Sequence, residues 1–142
     1  MAIIKRSQSF TQTTRIEEIY ADVTSSFAFH PTKLDLVMDV NEDAVKQSIK
    51  NILLTNRGER LFNPTFGSDL KSILFENFSP QTESQLKEYI EMSINNYEPR
   101  ASLIDVVVQA IPDLNAYSAT IVFSVINKAE PITLEFLLDR VR

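Results

Sequence analysis

The last third of the chain alternates apolar and polar residues with a period of two, which is the pattern of β-strands that bury one face. Three such runs follow Pro99, and turn-forming residues separate them at 112–115 and 127–131. This pattern predicts an antiparallel β-meander. Its predicted inward positions are Ile104, Val106, Val108 and Ala110 in the first run, Tyr117, Ala119, Ile121, Phe123 and Val125 in the second, and Ile132, Leu134, Phe136 and Leu138 in the third.

Three helices are predicted before this meander, because apolar residues there recur with the helical period of 3.6. The first begins after Asn41, which can cap a helix, and ends at Gly58. A short second helix, capped by Ser68 or Asp69, is predicted to run to about Phe78, and the longest covers 80–96 after the start signal at Ser79. The predicted inward faces are Val45, Ile49, Ile52 and Leu53, then Leu70, Ile73 and Leu74, then Leu86, Ile90, Ile94 and Tyr97.

The N-terminal part divides into a polar extension and one further strand. Residues 1–23 are rich in Ser, Thr and Gln, and we expect them to lie outside a single domain formed by residues 24–142. The segment from Lys33 to Val40 alternates, which predicts a strand whose buried face carries Leu34, Leu36, Met38 and Val40. One strand, then helices, then strands in a block predict an α+β fold with the helices packed on one face of the meander.

Composition excludes several classes of function. The chain has no Cys, so a disulfide framework, a thiolate metal site and a cysteine nucleophile are excluded. Its single His, His30, provides neither a metal cluster nor a catalytic triad, and no cofactor or metal is expected. With 14 basic and 19 acidic residues, the net charge of −5 does not support a nucleic-acid surface. No run approaches the length of a membrane span, so we expect a soluble protein without a membrane partner.

Both glycines of the chain fall in one short segment, between residues 56 and 67. The segment is predicted to be a structural turn that connects two helices, with Gly58 in the left-handed backbone conformation. It lacks the Gly-Lys-Ser/Thr sequence of a phosphate loop, so nucleotide binding is not expected. The residues of this predicted turn are Gly58, Glu59, Arg60, Pro64, Phe66 and Gly67.

The sequence Glu98-Pro99-Arg100 lies where the longest helix meets the meander. Proline disfavours helical backbone at Glu98, so Glu98 and Arg100 are expected in an extended segment, projecting to the same side. Two interpretations follow from the residues alone. The pair is either an exposed ion pair that marks the helix end, or a recognition element in which Glu98 orients an arginine fork toward a partner.

Acidic residues raise the question of glycoside hydrolysis, which needs two carboxyl groups about 5–9.5 Å apart. Glu59, Asp69, Glu76 and Glu98 could supply such a pair, but nothing in their spacing selects one. No catalytic residues are therefore predicted.

Several short motifs follow one another along residues 27–138: Ile52-Leu53-Leu54-Thr55, Gly58-Glu59-Arg60, Pro64 with Phe66 and Gly67, Leu74-Phe75, and Glu98-Pro99-Arg100. In this order and at these spacings they resemble the baseplate wedge subunit of contractile-tailed phages, a family shared with a baseplate component of type VI secretion systems. The resemblance implies a structural subunit, without enzymatic activity, that joins the wedge to the tail and starts assembly of the contractile sheath. The expected location is the tail baseplate of a virion, assembled in the host cytoplasm.

The same resemblance implies partners. Glu98, Pro99 and Arg100 would contact the helical bundle of larger baseplate wedge proteins, and the meander would offer an edge to strands of the tail sheath protein, at Ile132–Leu138 or the neighbouring strand. The tail tube is a further candidate partner. If Arg100 faces a partner, its replacement by Ala would weaken association without loss of folding. The alternatives are a type VI secretion baseplate and a cell-wall glycosidase.

Overall fold

The computed structural model describes residues 19–32, 34–126 and 128–140. Residues 1–18 of the predicted extension lie outside this range. The elements, in chain order, are β1 (Ala21–Val23), β2 (Met38–Val40), α1 (Glu42–Leu54), α2 (Leu70–Ile73), α3 (Pro80–Tyr97), β3 (Ala101–Ile111), β4 (Ala116–Val125) and β5 (Lys128–Asp139). A 3-10 turn at Pro112–Leu114 joins β3 to β4.

The C-terminal strands form the predicted antiparallel meander, in the order β3-β4-β5. The central strand β4 buries all five of its predicted inward residues: Tyr117, Ala119, Ile121, Phe123 and Val125. The α+β fold class is therefore confirmed, with β3 and β5 at the two edges of the sheet. A central strand obeys its alternation most closely because both of its neighbours hold its register.

The first meander strand departs from the predicted alternation at Ile104, whose side chain is exposed. Leu103 pairs with Phe123 and Asp105 pairs with Val122, so Ile104 is an extra residue in a β-bulge. Leu103 packs against the core before the bulge, and Val106 is buried after it. The predicted inward position of Ile104 is wrong, because the bulge moves the alternation by one residue.

The helices pack on one face of the meander, as predicted. Helix α3 lies along β3, and α1 packs beside α3. The predicted stripes are buried in all three helices, apart from Tyr97, which is half-buried. At the start of α3, Ser79 Oγ accepts a hydrogen bond from the Thr82 backbone N–H at 3.1 Å, which confirms Ser79 as the cap. Within the described residues, none of the helices combines the length and the apolar character that crossing a membrane requires.

Two predicted helix boundaries are wrong. Helix α1 ends at Leu54, four residues before Gly58, and α2 ends at Ile73. Asn41 makes no capping hydrogen bond, because its Oδ1 atom instead accepts from the backbone N–H groups of Ile19, at 2.9 Å, and Tyr20, at 3.2 Å. The side chain that could have capped the helix holds the preceding segment in place.

The predicted strand at 33–40 is reduced to Met38–Val40. Leu34 has a φ of 51° and its side chain is 86% exposed, so the backbone is left-handed where the strand was expected. Lys33 lies outside the described residues. Strand β2 pairs with β1 in an antiparallel arrangement, with Ala21 opposite Val40. Residues 19–23, assigned from the sequence to the extension, are thus hydrogen-bonded to the domain.

Candidate functional site

Glu98 and Arg100 lie where the chain leaves α3 and enters β3. Arg100 Nε donates to Glu98 Oε1 at 2.7 Å, and Arg100 Nη2 donates to Glu98 Oε2 at 2.9 Å. The Glu98 side chain is only 2% exposed, whereas the Arg100 side chain is partly exposed. The two residues form a bidentate pair with a buried carboxylate, so the interpretation as an exposed surface pair is wrong.

The outer side of the Arg100 guanidinium contacts the N-terminal segment. Its Nη1 and Nη2 atoms donate to Asp22 Oδ2 at 3.3 and 3.4 Å, and its central carbon lies 5.4 Å from the centre of the Tyr20 ring. Asp22 belongs to β1, which is 78 residues away along the chain. Arg100 therefore connects the N-terminal segment at 19–23 to the end of α3.

The electrostatics of the pair keep both side chains charged. Burial raises the pKa of Glu98, but hydrogen bonds from Arg100 and Ser48, together with the positive charge of Arg100, outweigh burial and leave that pKa below its ordinary value of 4.5. The hydrogen bond to Glu98 in turn raises the pKa of Arg100. Glu98 is thus a fixed anion that orients a guanidinium, and it is poorly suited to act as a general acid.

The segment from 55 to 68 is a closed loop, and Gly67 allows it to close. Gly67 has a φ of 112°, and a Cβ atom there would lie 2.4 Å from the backbone oxygen of Thr55. The Ser68 backbone N–H donates to that same oxygen at 2.9 Å. Gly58 also has a positive φ, 84°, which confirms its predicted left-handed backbone, although it lies inside the loop rather than at the helix end. Residues 55–68 thus form a closed turn that follows α1.

The tip of this loop displays two large apolar side chains that were not predicted from the sequence. Leu61 is 91% exposed and Phe62 is fully exposed. A backbone hydrogen bond spans the loop around them, since Gly58 N–H donates to Pro64 O at 2.9 Å. The Arg60 guanidinium also lies 3.8 Å from the centre of the Phe66 ring. The sequence contains a signal for this exposed surface, because two adjacent apolar residues lie between turn-forming residues.

The two edges of the meander differ in how their outward backbone groups are satisfied. On β3, two outward N–H groups have acceptors within the chain: Val106 donates to Asp105 Oδ1 at 2.8 Å, and Ala110 donates to Glu83 Oε1 at 3.0 Å. The bulge at Ile104 further disrupts this edge. The β3 edge is therefore poorly suited to pair with another strand.

Among the described strands, none pairs with the outer edge of β5. The Arg140 N–H donates to Asn115 O at 3.0 Å, so in the antiparallel register the even-numbered residues from 132 to 138 point their backbone groups at β4. The backbone groups of Thr133, Glu135, Leu137 and Asp139 point away from β4, and their N–H groups make no hydrogen bond within the described part of the chain. Their side chains are exposed on the face opposite the helices.

A hollow of about 260 Å³ lies between α1 and this open edge. It is lined by Lys50, Leu53 and Leu54 of α1 and by Phe136 and Leu137 of β5. None of these five residues carries a carboxylate. Its walls are mainly aliphatic and aromatic, which suits an apolar side chain better than a polar substrate.

Three of the four acidic residues considered for glycoside hydrolysis, Glu59, Asp69 and Glu98, are engaged in structural contacts. The backbone and side-chain N–H groups of Asn56 donate to Glu59 at 2.9 and 2.7 Å and lower the pKa of Glu59. Asp69 pairs with Arg57 at 3.1 Å, and Glu98 pairs with Arg100. Across the three described ranges, no cluster of three or more His, Asp or Glu side chains is placed to hold a metal ion.

Comparison with known proteins defines the class to which this fold belongs. The family model of baseplate wedge protein gp25 matches residues 39–129. The baseplate wedge protein gp25 of Enterobacteria phage T4 is 36% identical over 121 residues, which cover 82% of this chain and 88% of the phage protein. The chain is therefore a structural baseplate wedge protein of a contractile phage tail or a related injection system. It belongs to the baseplate wedge protein gp25 family.

Two solved structures share the fold at lower identity. A candidate tail lysozyme from Geobacter sulfurreducens has a TM-score of 0.70 and 22% identity, over 75% of this chain and 96% of that one. A chain of the baseplate of the anti-feeding prophage has a TM-score of 0.61 and 21% identity, over 87% of each chain. Similarity at this level shows a common fold.

Replacing Arg100 with Ala should destabilise the protein, in contrast to the expectation from the sequence, because it leaves the buried Glu98 carboxylate without its cation. We expect a loss of about 3 kcal/mol in the free energy of unfolding, measured by urea denaturation. Arg57→Ala is the matched control, because it removes an exposed pair with Asp69 and should cost at most about 1 kcal/mol. Equal losses in the two variants would contradict an internal role for Arg100.

The stability of the pair should depend on pH. Because the pKa of Glu98 is lower in the folded chain than its ordinary value of 4.5, the ionised carboxylate stabilises the fold above that pH, and this stabilisation is lost as the pH falls further. Glu98→Gln removes the ionisation with little change of shape. The difference in unfolding free energy between the unaltered chain and this variant should shrink from about pH 7 to about pH 3. Parallel pH profiles would show that Glu98 does not contribute this dependence.

Proposed function

We propose that this wedge subunit joins the wedge to the tail and starts sheath assembly by accepting a strand of the tail sheath protein at the outer edge of β5. The observation that carries the proposal is the difference between the two sheet edges. The β3 edge has a bulge and internal acceptors, whereas the backbone groups at Thr133, Glu135 and Leu137 have no partner within the described residues. An added strand would therefore pair with β5 rather than with β3.

An open edge is normally a hazard, because unpaired N–H and C=O groups in register can pair with any exposed strand. The N-terminal end of β5 carries a proline, Pro131, which limits pairing there. The remaining outward positions provide a short stretch of backbone for a single added strand. This length suits specific addition of one strand more than open-ended aggregation.

We also propose that Glu98, Pro99 and Arg100 contact the larger baseplate wedge proteins. Glu98 fixes the guanidinium by two hydrogen bonds, Pro99 is exposed beside it, and the Arg100 side chain remains partly accessible. A preorganised arginine loses little conformational entropy on binding, which favours contact with carboxylates or carbonyls of a partner. The exposed tip at Leu61 and Phe62 supplies a second surface for a baseplate neighbour, the tail tube included.

The proposed role is non-enzymatic. The engaged carboxylates of Glu59, Asp69 and Glu98 support it, as does the naming of the family and of its phage T4 member as baseplate wedge proteins. We place the protein in the tail baseplate of a virion, assembled in the host cytoplasm. A bacterial secretion or injection device is the second candidate, favoured by the shared fold with the anti-feeding prophage baseplate. Neighbouring genes for a phage head and portal would decide between the two.

Glu135→Pro should block sheath assembly without unfolding the protein. It removes one outward N–H from the β5 edge, where the proline ring faces solvent and not β4. Glu135→Thr is the matched control, because it loses the same charge but keeps the N–H. Assembled wedges with each variant are mixed with sheath subunits and imaged by electron microscopy, and melting temperatures are compared. Sheath that grows equally well on both variants would reject strand addition at β5.

Pro99→Asp should weaken association with the larger wedge proteins by about tenfold or more, because it places a carboxylate and a freer backbone at the centre of the proposed contact. Pro31→Asp makes the same change at another exposed proline, in the connection between β1 and β2. Co-elution of each variant with purified wedge complex on size exclusion measures the effect. Equal retention of the two variants would remove the motif from the interface.

A further inference from the structure

The hollow between α1 and β5 adjoins the open sheet edge, and no side chain of the described residues fills it. Leu54 forms part of its wall and is 54% exposed. Phe136 forms the opposite wall and packs on the core from the helical side of the sheet. An apolar wall beside unpaired backbone is the arrangement expected where both a strand and one of its side chains bind.

The register of β5 determines which residue of an added strand would reach the hollow. The backbone groups of Phe136 point at β4. In an added antiparallel strand, the residue opposite Phe136 would therefore form a non-hydrogen-bonded pair with it. Residues directly opposite one another project to the same face of a sheet, with their side chains close together. The residue opposite Phe136 would therefore project toward α1, between Leu54 and Phe136.

From this geometry we propose that the hollow selects the added strand by taking one large apolar side chain, at the position opposite Phe136. The inference depends on the proposed function, because it assumes that a strand of the sheath protein adds to β5. Lys50 also lines the hollow and is exposed, and a lysine side chain can cover apolar surface with its aliphatic stem while its ammonium group reaches water. Backbone hydrogen bonds along the β5 edge would bind strands of many sequences. The hollow would determine which strand binds and in which register.

The test uses fluorescent peptides that copy the terminal strands of the sheath protein of the same machine, bound to the full chain and measured by anisotropy. Replacing the large apolar residue opposite Phe136 with Ala should weaken binding by about 10–100-fold, and the same change one position along should weaken it by less than about threefold. On the protein side, Leu54→Asp should also weaken binding by about 10–100-fold. Met92→Asp is the control, since Met92 is another exposed apolar residue on a helix.

The register can be mapped directly because the chain has no Cys. With Leu54→Cys, a peptide carrying Cys in place of the residue opposite Phe136 should form the dominant disulfide, and Met92→Cys should form none.

The outcomes separate the two proposals. If no terminal-strand peptide binds, or if Glu135→Pro does not reduce binding, strand addition itself is overturned. If Glu135→Pro abolishes binding but the Ala and Leu54→Asp substitutions change it by less than about twofold, only the selective role of the hollow is overturned.

Discussion

The burial of a single carboxylate, Glu98, constrains the whole arrangement. A buried anion without a partner is strongly unfavourable. Glu98 has its partner two residues along the chain, because Arg100 donates two hydrogen bonds to its carboxylate. Ser48 of α1 also donates to Glu98, and Asp22 of β1 binds the outer side of Arg100. This one charge therefore connects the end of α3, the start of β3, the face of α1 and strand β1.

The two edges of the sheet, β3 and β5, are unequal. Helix α3 lies along β3, and its Glu83 satisfies an outward backbone group there, while the bulge at Ile104 distorts that edge. Helix α1 lies beside α3, on the side of β5, and a hollow remains between it and the strand. A sheet with one closed edge and one open edge can grow in a single direction. For a subunit of an assembly, this asymmetry limits pairing to one partner strand.

Most of the fold was predictable because its signals are local. Period and capping depend on residues within a few positions of one another, which is why the stripes of the three helices, the cap at Ser79 and the alternation of β4 were confirmed. One failure involves a distant partner, and another involves a local backbone conformation. Asn41 was expected to cap α1 but binds the segment at 19–20, and the alternation that predicted a strand at Leu34 is overridden by a left-handed backbone.

The sequence by itself determined the family, the helical and meander segments, and the motif at 98–100, because each of these depends on residue types that lie close together along the chain. Only the tertiary structure decided that Glu98 is buried, that Arg100 holds β1, and that β5 is the open edge beside a hollow. These properties depend on which surfaces cover one another. Burial and edge exposure are set by contacts between residues tens of positions apart, and no local pattern records them.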